Sequence, residues 1–468
     1  MFPLLFSGSA LRVRSSESDT QRFVNRVLQK EVDTLKPVRI GICGLGTVGS
    51  GTFNVLTRNA REISARAGTD IIIEQVGARR DNPACDTSSS NVTRDVFEVA
   101  RNPDVDVVVE LIGGTTVAKE LVEEAIASGK HVVTANKALI AEFGNELFAK
   151  AEAKGVTISF EAAVAGGIPI IKALREGLSG NRVEWLAGII NGTGNFILTE
   201  MKDKGRAFED VLKEAQKLGY AEADPTFDVE GIDAAHKLVI LASIAFGMPL
   251  QFDKIFTEGI SAIEPQDLTY AESLGYRIKH LGIARQSDKG VELRVHPTLI
   301  PAKRLIANVN GVMNAVLVKG DAVGPTLYYG AGAGAEPTAS AVVADLVDVA
   351  RGFSAAQENK VAHLGFAADA LQDLPVLPIS EVTTAYYLRM TAEDRPGVLN
   401  KVTQILSDSG ISIEAVIQKE PEEGGTEVPL ILLTNRAVEK QLMEAIDGIE
   451  RLEAILGEIT HIRVESLG

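Results

Sequence analysis

The chain is predicted to be an α/β protein in three parts: a doubly wound parallel sheet, a mixed α/β middle region, and a C-terminal ferredoxin-like module. Three observations carry this expectation. A glycine-rich turn joins a strand to a helix just after Val38. Short apolar strands then alternate with helical stretches. The last hundred residues or so run strand, helix, strand, strand, helix, strand, the split βαβ order. The length of 468 residues agrees, being too great for one hydrophobic core.

Composition removes several classes of function. With 47 Lys plus Arg against 63 Asp plus Glu, the formal charge of −16 repels a phosphate backbone, so nucleic acid is not expected as a partner. The two cysteines, Cys43 and Cys85, make neither a disulfide framework nor a zinc motif, which suits a reducing cytoplasm. The N-terminal apolar run "MFPLLF" lacks a preceding basic residue, unlike a secretory signal. Residues 1–36 read as a loose extension with one short amphipathic helix in "QRFVNRVLQKEV". The most apolar segment, "KLVILASIAFGMPL", is too short to span a bilayer, and no membrane association is expected.

The first ordered element is the strand "VRIGIC", followed by "GLGTVG" and an apolar helix. Gly44, Gly46 and Gly49 form GxGxxG, with Leu45, Thr47 and Val48 between them. In a Rossmann-type domain these glycines permit a tight turn, close approach of the backbone to a pyrophosphate, and close helix packing. The strands "IIIEQVGA", "VDVVVELIGG" and "KHVVTANK" continue the pattern and raise it above an isolated glycine turn. At the end of the second strand an acid would bind the ribose hydroxyls of NAD, whereas "GARRDN" presents Arg79 and Arg80. These arginines favour NADP; solvated turn arginines, with NAD as cofactor, are the alternative. Lys137 ends the fourth strand, at the carboxyl edge where ligands of such sheets bind.

The middle region opens with "VEWLAGIINGTGNFILTEM", a strand, a turn and a helix, and continues with the helix "FEDVLKEAQKLG", closed by Gly219. Next comes "DPTFDVEGIDAAHK", then a buried helix. Asp233 and Lys237 lie four apart on it and share a face. A surface ion pair is the plain reading. Against it, the helix runs on into almost wholly apolar sequence, and Glu222 and Asp228 lie just upstream on a loop able to converge on the pair. A lysine there can exchange a proton near neutral pH if burial or a second positive charge lowers its pKa, and Lys137 or an oxidised nicotinamide could provide that charge. The carboxylates suit a substrate ammonium group.

The segment "AQKLGYAEADPTFDVEGIDAAHK" resembles the signature of the homoserine dehydrogenases. The resemblance continues through "GLGTVG", "TANKAL", "EAAVAGGIPII", "NGTGNFIL" and "GAGAGAEPTASAVVADL", from about residue 38 to 352. It implies NAD(P)-dependent interconversion of L-homoserine and L-aspartate 4-semialdehyde, in the biosynthesis of threonine, methionine and isoleucine. On that basis Lys237 is the proton donor or acceptor, and Lys137 contacts both cofactor and substrate. Glu222 and Asp233 bind homoserine, supported by Asp228, and Gly334 touches the cofactor. The resemblance further implies a monovalent cation such as Na+ at Glu161, Val164, Gly166 and Ile168, held largely by main-chain oxygens.

The piece "DRPGVLNKVTQILSDSGISI" resembles an ACT domain, with Asp394, Arg395, Gly397 and Val398 at the junction where such domains bind an amino-acid effector. Threonine is the effector the family implies; an ACT-like domain serving only dimerisation is the alternative. The expected organisation is an extension over 1–36 and a Rossmann domain over 37–165, with 336–360 packing back on it. A homoserine-binding and dimerisation domain over 166–335, a linker over 361–383 and an ACT domain over 384–468 complete it. A homodimer or homotetramer is expected. Two other readings stand beside this one: another NADP-dependent amino-acid or semialdehyde dehydrogenase, and a catalytically silent amino-acid sensor.

Overall fold

The computed structural model describes residues 36–353, 361–418 and 426–468. The N-terminal extension and the amphipathic helix expected in it lie outside the described residues.

Six parallel strands build the first sheet: β1 (Val38–Cys43), β2 (Ile71–Gly77), β3 (Val92–Thr93), β4 (Val107–Glu110), β5 (His131–Thr134) and β6 (Ile158–Ser159). Their order is β3-β2-β1-β4-β5-β6, so the chain reverses direction across the sheet between β1 and β4. Val107, Val108 and Val109 are wholly buried, which explains why β4 reads as a continuous apolar run rather than an alternating one. Helix Ala335–Gly352 returns from far along the chain to this domain. Its Ala339, Val342 and Leu346 share one core with Ile40, Ile42, Phe53 and Leu56. The approach is close: a Cβ added to Gly51 would lie 2.4 Å from the Ala335 carbonyl oxygen.

The second sheet takes in all eleven remaining strands of the described residues. These are β7 (Val183–Ile189), β8 (Phe256–Thr257), β9 (Tyr276–Ser287), β10 (Gly290–Pro301), β11 (Met313–Gly320), β12 (Gly324–Ala331), β13 (Thr383–Glu393), β14 (Ile413–Gln418), β15 (Glu427–Thr434), β16 (Ala437–Val438) and β17 (Ile455–Val464). Its path is β12-β11-β7-β9-β10-β17-β13-β15-β14, with β8 pairing β10 and β16 pairing β13. The last four strands of that path are the ferredoxin-like module.

The sequence led us to expect a regulatory module on a linker. Instead, β17 pairs in parallel with β10, matching Thr298 to Arg463 and Leu299 to Val464, so the module's sheet continues the sheet of the middle region. Buried charges cross this seam. Glu465 accepts from Arg285 at 2.9 Å and pairs with Arg294, while Arg463 donates to Glu258 at 2.7 Å and pairs with Glu439. Burial opposes ionisation of Glu465, but Arg294 and Arg285 outweigh it and hold the carboxyl below its ordinary range.

The stretch between the two regions is likewise anchored. Gln372 N–H donates to the Gly247 carbonyl at 2.8 Å, and Val291 exchanges two main-chain hydrogen bonds of 2.9 Å with Pro375 and Leu377. Leu374 and Val376 pack on the central core. No described helix is long and apolar enough to cross a membrane.

Candidate active site

The cofactor cleft forms at the carboxyl ends of the paired strands β1 and β4, where the strand order reverses. The chain leaves β1 through Gly44 at φ 101, a left-handed conformation, and a Cβ there would sit 2.6 Å from the Leu111 carbonyl oxygen. A Cβ on Gly49 would be 1.9 Å from the Gly44 carbonyl, whereas one on Gly46 would meet nothing within 4 Å. Gly44 and Gly49 therefore serve local packing, and Gly46 leaves room for a ligand. The cleft encloses about 910 Å³ and is lined by Gly44, Leu45, Gly46, Arg79, Arg80 and Arg94, among others. Thr47 is exposed and Val48 half-buried on the first turn of helix Thr47–Arg58. Gly334, at φ 124, starts helix Ala335–Gly352, which packs against that helix.

Arg79 and Arg80 are exposed at the cleft, as their place after β2 requires. Arg94 is pinned instead, donating to the Ala78 carbonyl at 3.0 Å and to Asp81 at 2.8 Å. The opposite wall hangs on Glu110, at the carboxyl end of β4. Its carboxyl accepts from Ile112 N–H at 2.9 Å, Gly113 N–H at 3.3 Å and the Thr134 hydroxyl at 2.6 Å, shaping the glycine turn. Burial raises the Glu110 pKa, against the pull of these hydrogen bonds.

The lysine–carboxylate cluster lies at the start of helix Ile232–Phe246, where the Asp233/Lys237 spacing put the pair on one face. Lys237 Nζ donates to Asp233 Oδ2 at 2.6 Å and to the Ile190 carbonyl at 2.7 Å. Lys137, the first residue of helix Lys137–Lys154, meets Asp233 Oδ1 at 3.1 Å. Burial, and after it the positive charge of Lys137, lowers the Lys237 pKa despite the opposing pull of Asp233. For Asp233, burial works toward protonation, yet the two lysines prevail and hold it well below the usual carboxylate range. Asp228 joins through Asn191, which donates to Asp228 Oδ1 at 2.8 Å, and burial raises its pKa. Glu222 is exposed on the preceding loop, where its carbonyl accepts from Gln216 at 3.1 Å.

The four residues expected at a cation lie on one tight loop. Ala165 and Gly166 adopt φ 55 and φ 42 in succession, Val164 and Ile168 flank them, and the loop touches the chain before Gly334, with Gly167 N–H donating to the Ala331 carbonyl at 2.9 Å. The Glu161 side chain points to structure rather than to a ligand: it accepts from Ile171 N–H at 2.9 Å and Lys172 N–H at 2.7 Å, and burial pushes its pKa up to about 7.

In the C-terminal module, Asp394, Arg395, Gly397 and Val398 line a cavity of about 470 Å³ between β13 and helix Val398–Asp408. Gly397 supplies the left-handed residue, φ 93, that starts the helix. Arg395 pairs with Glu393 at 2.7 Å.

Sequence reasoning did not single out Asn191, Glu110 or Arg94. Asn191 stood within "NGTGNFIL", where N-cap chemistry accounts for it, and nothing along the chain says that its amide meets two carboxylates 37 and 42 residues away.

Comparison with known proteins identifies the family. Residues 44–161 match the family model "Homoserine dehydrogenase, NAD binding domain", 169–347 match "Homoserine dehydrogenase", and 386–451 match "ACT domain". A homoserine dehydrogenase of Pseudomonas aeruginosa is 67% identical over 433 residues, covering 92% of this chain and 100% of the relative. One from Neisseria gonorrhoeae is 56% identical over 434 residues, with 92% and 100% covered. Among solved structures, a homoserine dehydrogenase from Thiobacillus denitrificans superposes with a TM-score of 0.88 at 62% identity, covering 92% of this chain and 99% of that one. A hyperthermophilic archaeal homoserine dehydrogenase in complex with NADPH gives 0.58 at 25% identity, covering 72% and 100%. With its dinucleotide-binding sheet, its buried lysine–aspartate cluster and its C-terminal ACT domain, the chain belongs to the homoserine dehydrogenase family of oxidoreductases.

Proposed function

We propose that the enzyme interconverts L-homoserine and L-aspartate 4-semialdehyde with Lys237 as the group that moves the proton, and that it prefers NADP. The observation that carries the catalytic part is the environment of Lys237: a nearly buried ammonium between the Ile190 carbonyl and Asp233, with a second lysine on the far oxygen of that aspartate. Two of its three hydrogens are engaged within the protein, which leaves one for a substrate oxygen. In the reducing direction Lys237 donates to the oxygen as negative charge develops there; in the oxidising direction its neutral amine receives the hydroxyl proton. Asp233 keeps the two lysines together. Asp228 and the exposed Glu222 are the carboxylates left to meet a substrate ammonium group.

NADP, when bound, supplies the hydride chemistry. The room above Gly46 and the exposed guanidinium groups of Arg79 and Arg80 fit a pyrophosphate and a 2′-phosphate. The left-handed pair Ala165–Gly166 gives the 161–168 loop the curvature to offer main-chain oxygens to a monovalent cation. The cavity at Asp394–Val398 suits an amino-acid effector, with threonine as the candidate, and β12, an edge strand carrying the exposed Tyr329, suits pairing into a dimer. Two free thiols, one of them buried, suit a cytoplasmic enzyme.

The test is nicotinamide reduction with L-homoserine, run in parallel with NADP and NAD on wild type and on Lys237→Ala. Turnover by wild type, faster with NADP and abolished in the variant, supports the proposal. Near-normal turnover by Lys237→Ala removes Lys237 from the chemistry, and equal rates with both cofactors remove the NADP preference.

A further inference from the structure

We infer that Asn191 is a positioning residue for proton transfer, holding Asp228 and Asp233 together and so fixing the carboxylate against which Lys237 works. The inference rests on Lys237 being the proton-transfer group. Asn191 follows β7 and caps helix Gly192–Lys204, its Oδ1 accepting from Gly194 N–H at 2.7 Å. That bond decides which way the side-chain amide faces. With Oδ1 committed to the helix, Nδ2 points at the two carboxylates and donates to Asp228 Oδ1 at 2.8 Å and Asp233 Oδ2 at 2.9 Å. An ordinary cap needs only the oxygen. Here both amide hydrogens are also used, each on an acid, by a residue only 5% exposed.

The strand end thus grips both members of the catalytic pair. The Ile190 carbonyl takes a hydrogen from Lys237, and the adjacent Asn191 amide donates to the same Asp233 oxygen that Lys237 touches. Asp228 and Asp233 repel one another, and their joint placement needs a donor between them. The charged groups around Lys237 are Asp233 on its own helix, Lys137 on helix Lys137–Lys154 and Asp228 on the preceding turn. The neighbouring His236 faces Glu142 at 3.2 Å.

Asn191→Asp keeps the capping oxygen and the shape but replaces the donor with a third acid. Asn191→Ser keeps a capping hydroxyl and removes the donor without adding charge. We expect homoserine oxidation at neutral pH to fall about 10- to 100-fold in Asn191→Asp, as for a misplaced or mistitrated catalytic base. The ascending limb of its kcat profile, where Lys237 loses its proton, should move to higher pH, because the extra negative charge favours the ammonium form of Lys237, so activity recovers as pH rises. Asn191→Ser should lose kcat with a smaller displacement of the limb. NADP affinity should stay at the wild-type value in both. The controls are Lys237→Ala and thermal unfolding of each variant. If Lys237→Ala abolishes turnover while both Asn191 variants keep the wild-type kcat and pH profile, Asn191 has no positioning role. A fall in Tm with an unmoved pH profile and kcat in Asn191→Ser likewise reduces it to a helix cap and overturns the inference, even if Asn191→Asp does not fold. Near-normal turnover by Lys237→Ala would instead overturn the assignment of Lys237.

Discussion

Two groups of buried charges, built from similar parts, face different fates in this molecule. Around Asp233, two lysines and an asparagine meet a carboxylate, and the Lys137 side chain remains 34% exposed. Across the β10–β17 seam, Arg294, Arg463, Glu465 and Glu439 pair with one another at exposures of 1–6%. At the seam each charge is spent on protein partners: Arg294 also meets His296 at 2.7 Å, and Tyr386 donates to Glu439 at 2.9 Å. In the cluster, Lys237 keeps a hydrogen in reserve. The difference teaches that charge and burial alone do not mark a candidate site; a donor left without a protein partner does.

The comparison breaks most visibly at Lys237. Lys237→Ala should lower turnover about 10²- to 10⁴-fold with NADP binding near wild type, because it removes the proton carrier; any fall in Tm from the lost Asp233 and Ile190 bonds is read separately by calorimetry. The seam should answer in the opposite sense. Glu465→Ala removes one of the two carboxylates that Arg294 and Arg285 share, Glu292 being the other, and should cost about 1–3 kcal/mol of stability. Urea unfolding measures this, and a variant as stable as wild type would show that the seam does not hold the sheets together. At the mouth of the cofactor cleft, Arg79→Ala with Arg80→Ala should weaken NADP about 10- to 100-fold and leave NAD within a few-fold, as expected on losing charge-assisted contacts to a phosphate; equal losses for both would exclude a 2′-phosphate contact.

A further effect, spread over a pH interval, comes from buried histidines. Burial depresses His280 and His363 to about 4, and each accepts no proton easily in the folded state. Since both bind protons more readily unfolded, at about 6.5, their contribution is present above that pH and lost as pH falls toward 4. Between pH 6.5 and 5 each should cost up to about 2 kcal/mol, seen as a falling Tm. A flat Tm over that interval would mean that both rings take up protons in the folded protein as readily as in the unfolded chain.

Much of the site was legible because its signals are local. GxGxxG, the arginines after β2, the i, i+4 spacing of Asp233 and Lys237, and the split βαβ order each lie within one stretch of chain. The resemblance to the family added the roles of Lys137 and Glu222, which spacing could not supply. Asn191 was hidden because capping already explained it. The seam was hidden for another reason: the proline-bearing stretch before β13 looks like a linker, and its anchoring to Val291 and Gly247 is a pairing between distant segments.

By itself the sequence determined the elements, the cofactor turn and the presence of an acid-rich lysine helix, since backbone conformation, capping and periodicity act between near neighbours. Only the tertiary structure decided that Lys137 and Lys237 share Asp233, that Asn191 bridges two acids, and that β17 extends the sheet of the middle region. These depend on which distant surfaces are buried together, where removal from water makes each unpaired charge costly and so selects the arrangement in which every one finds a partner.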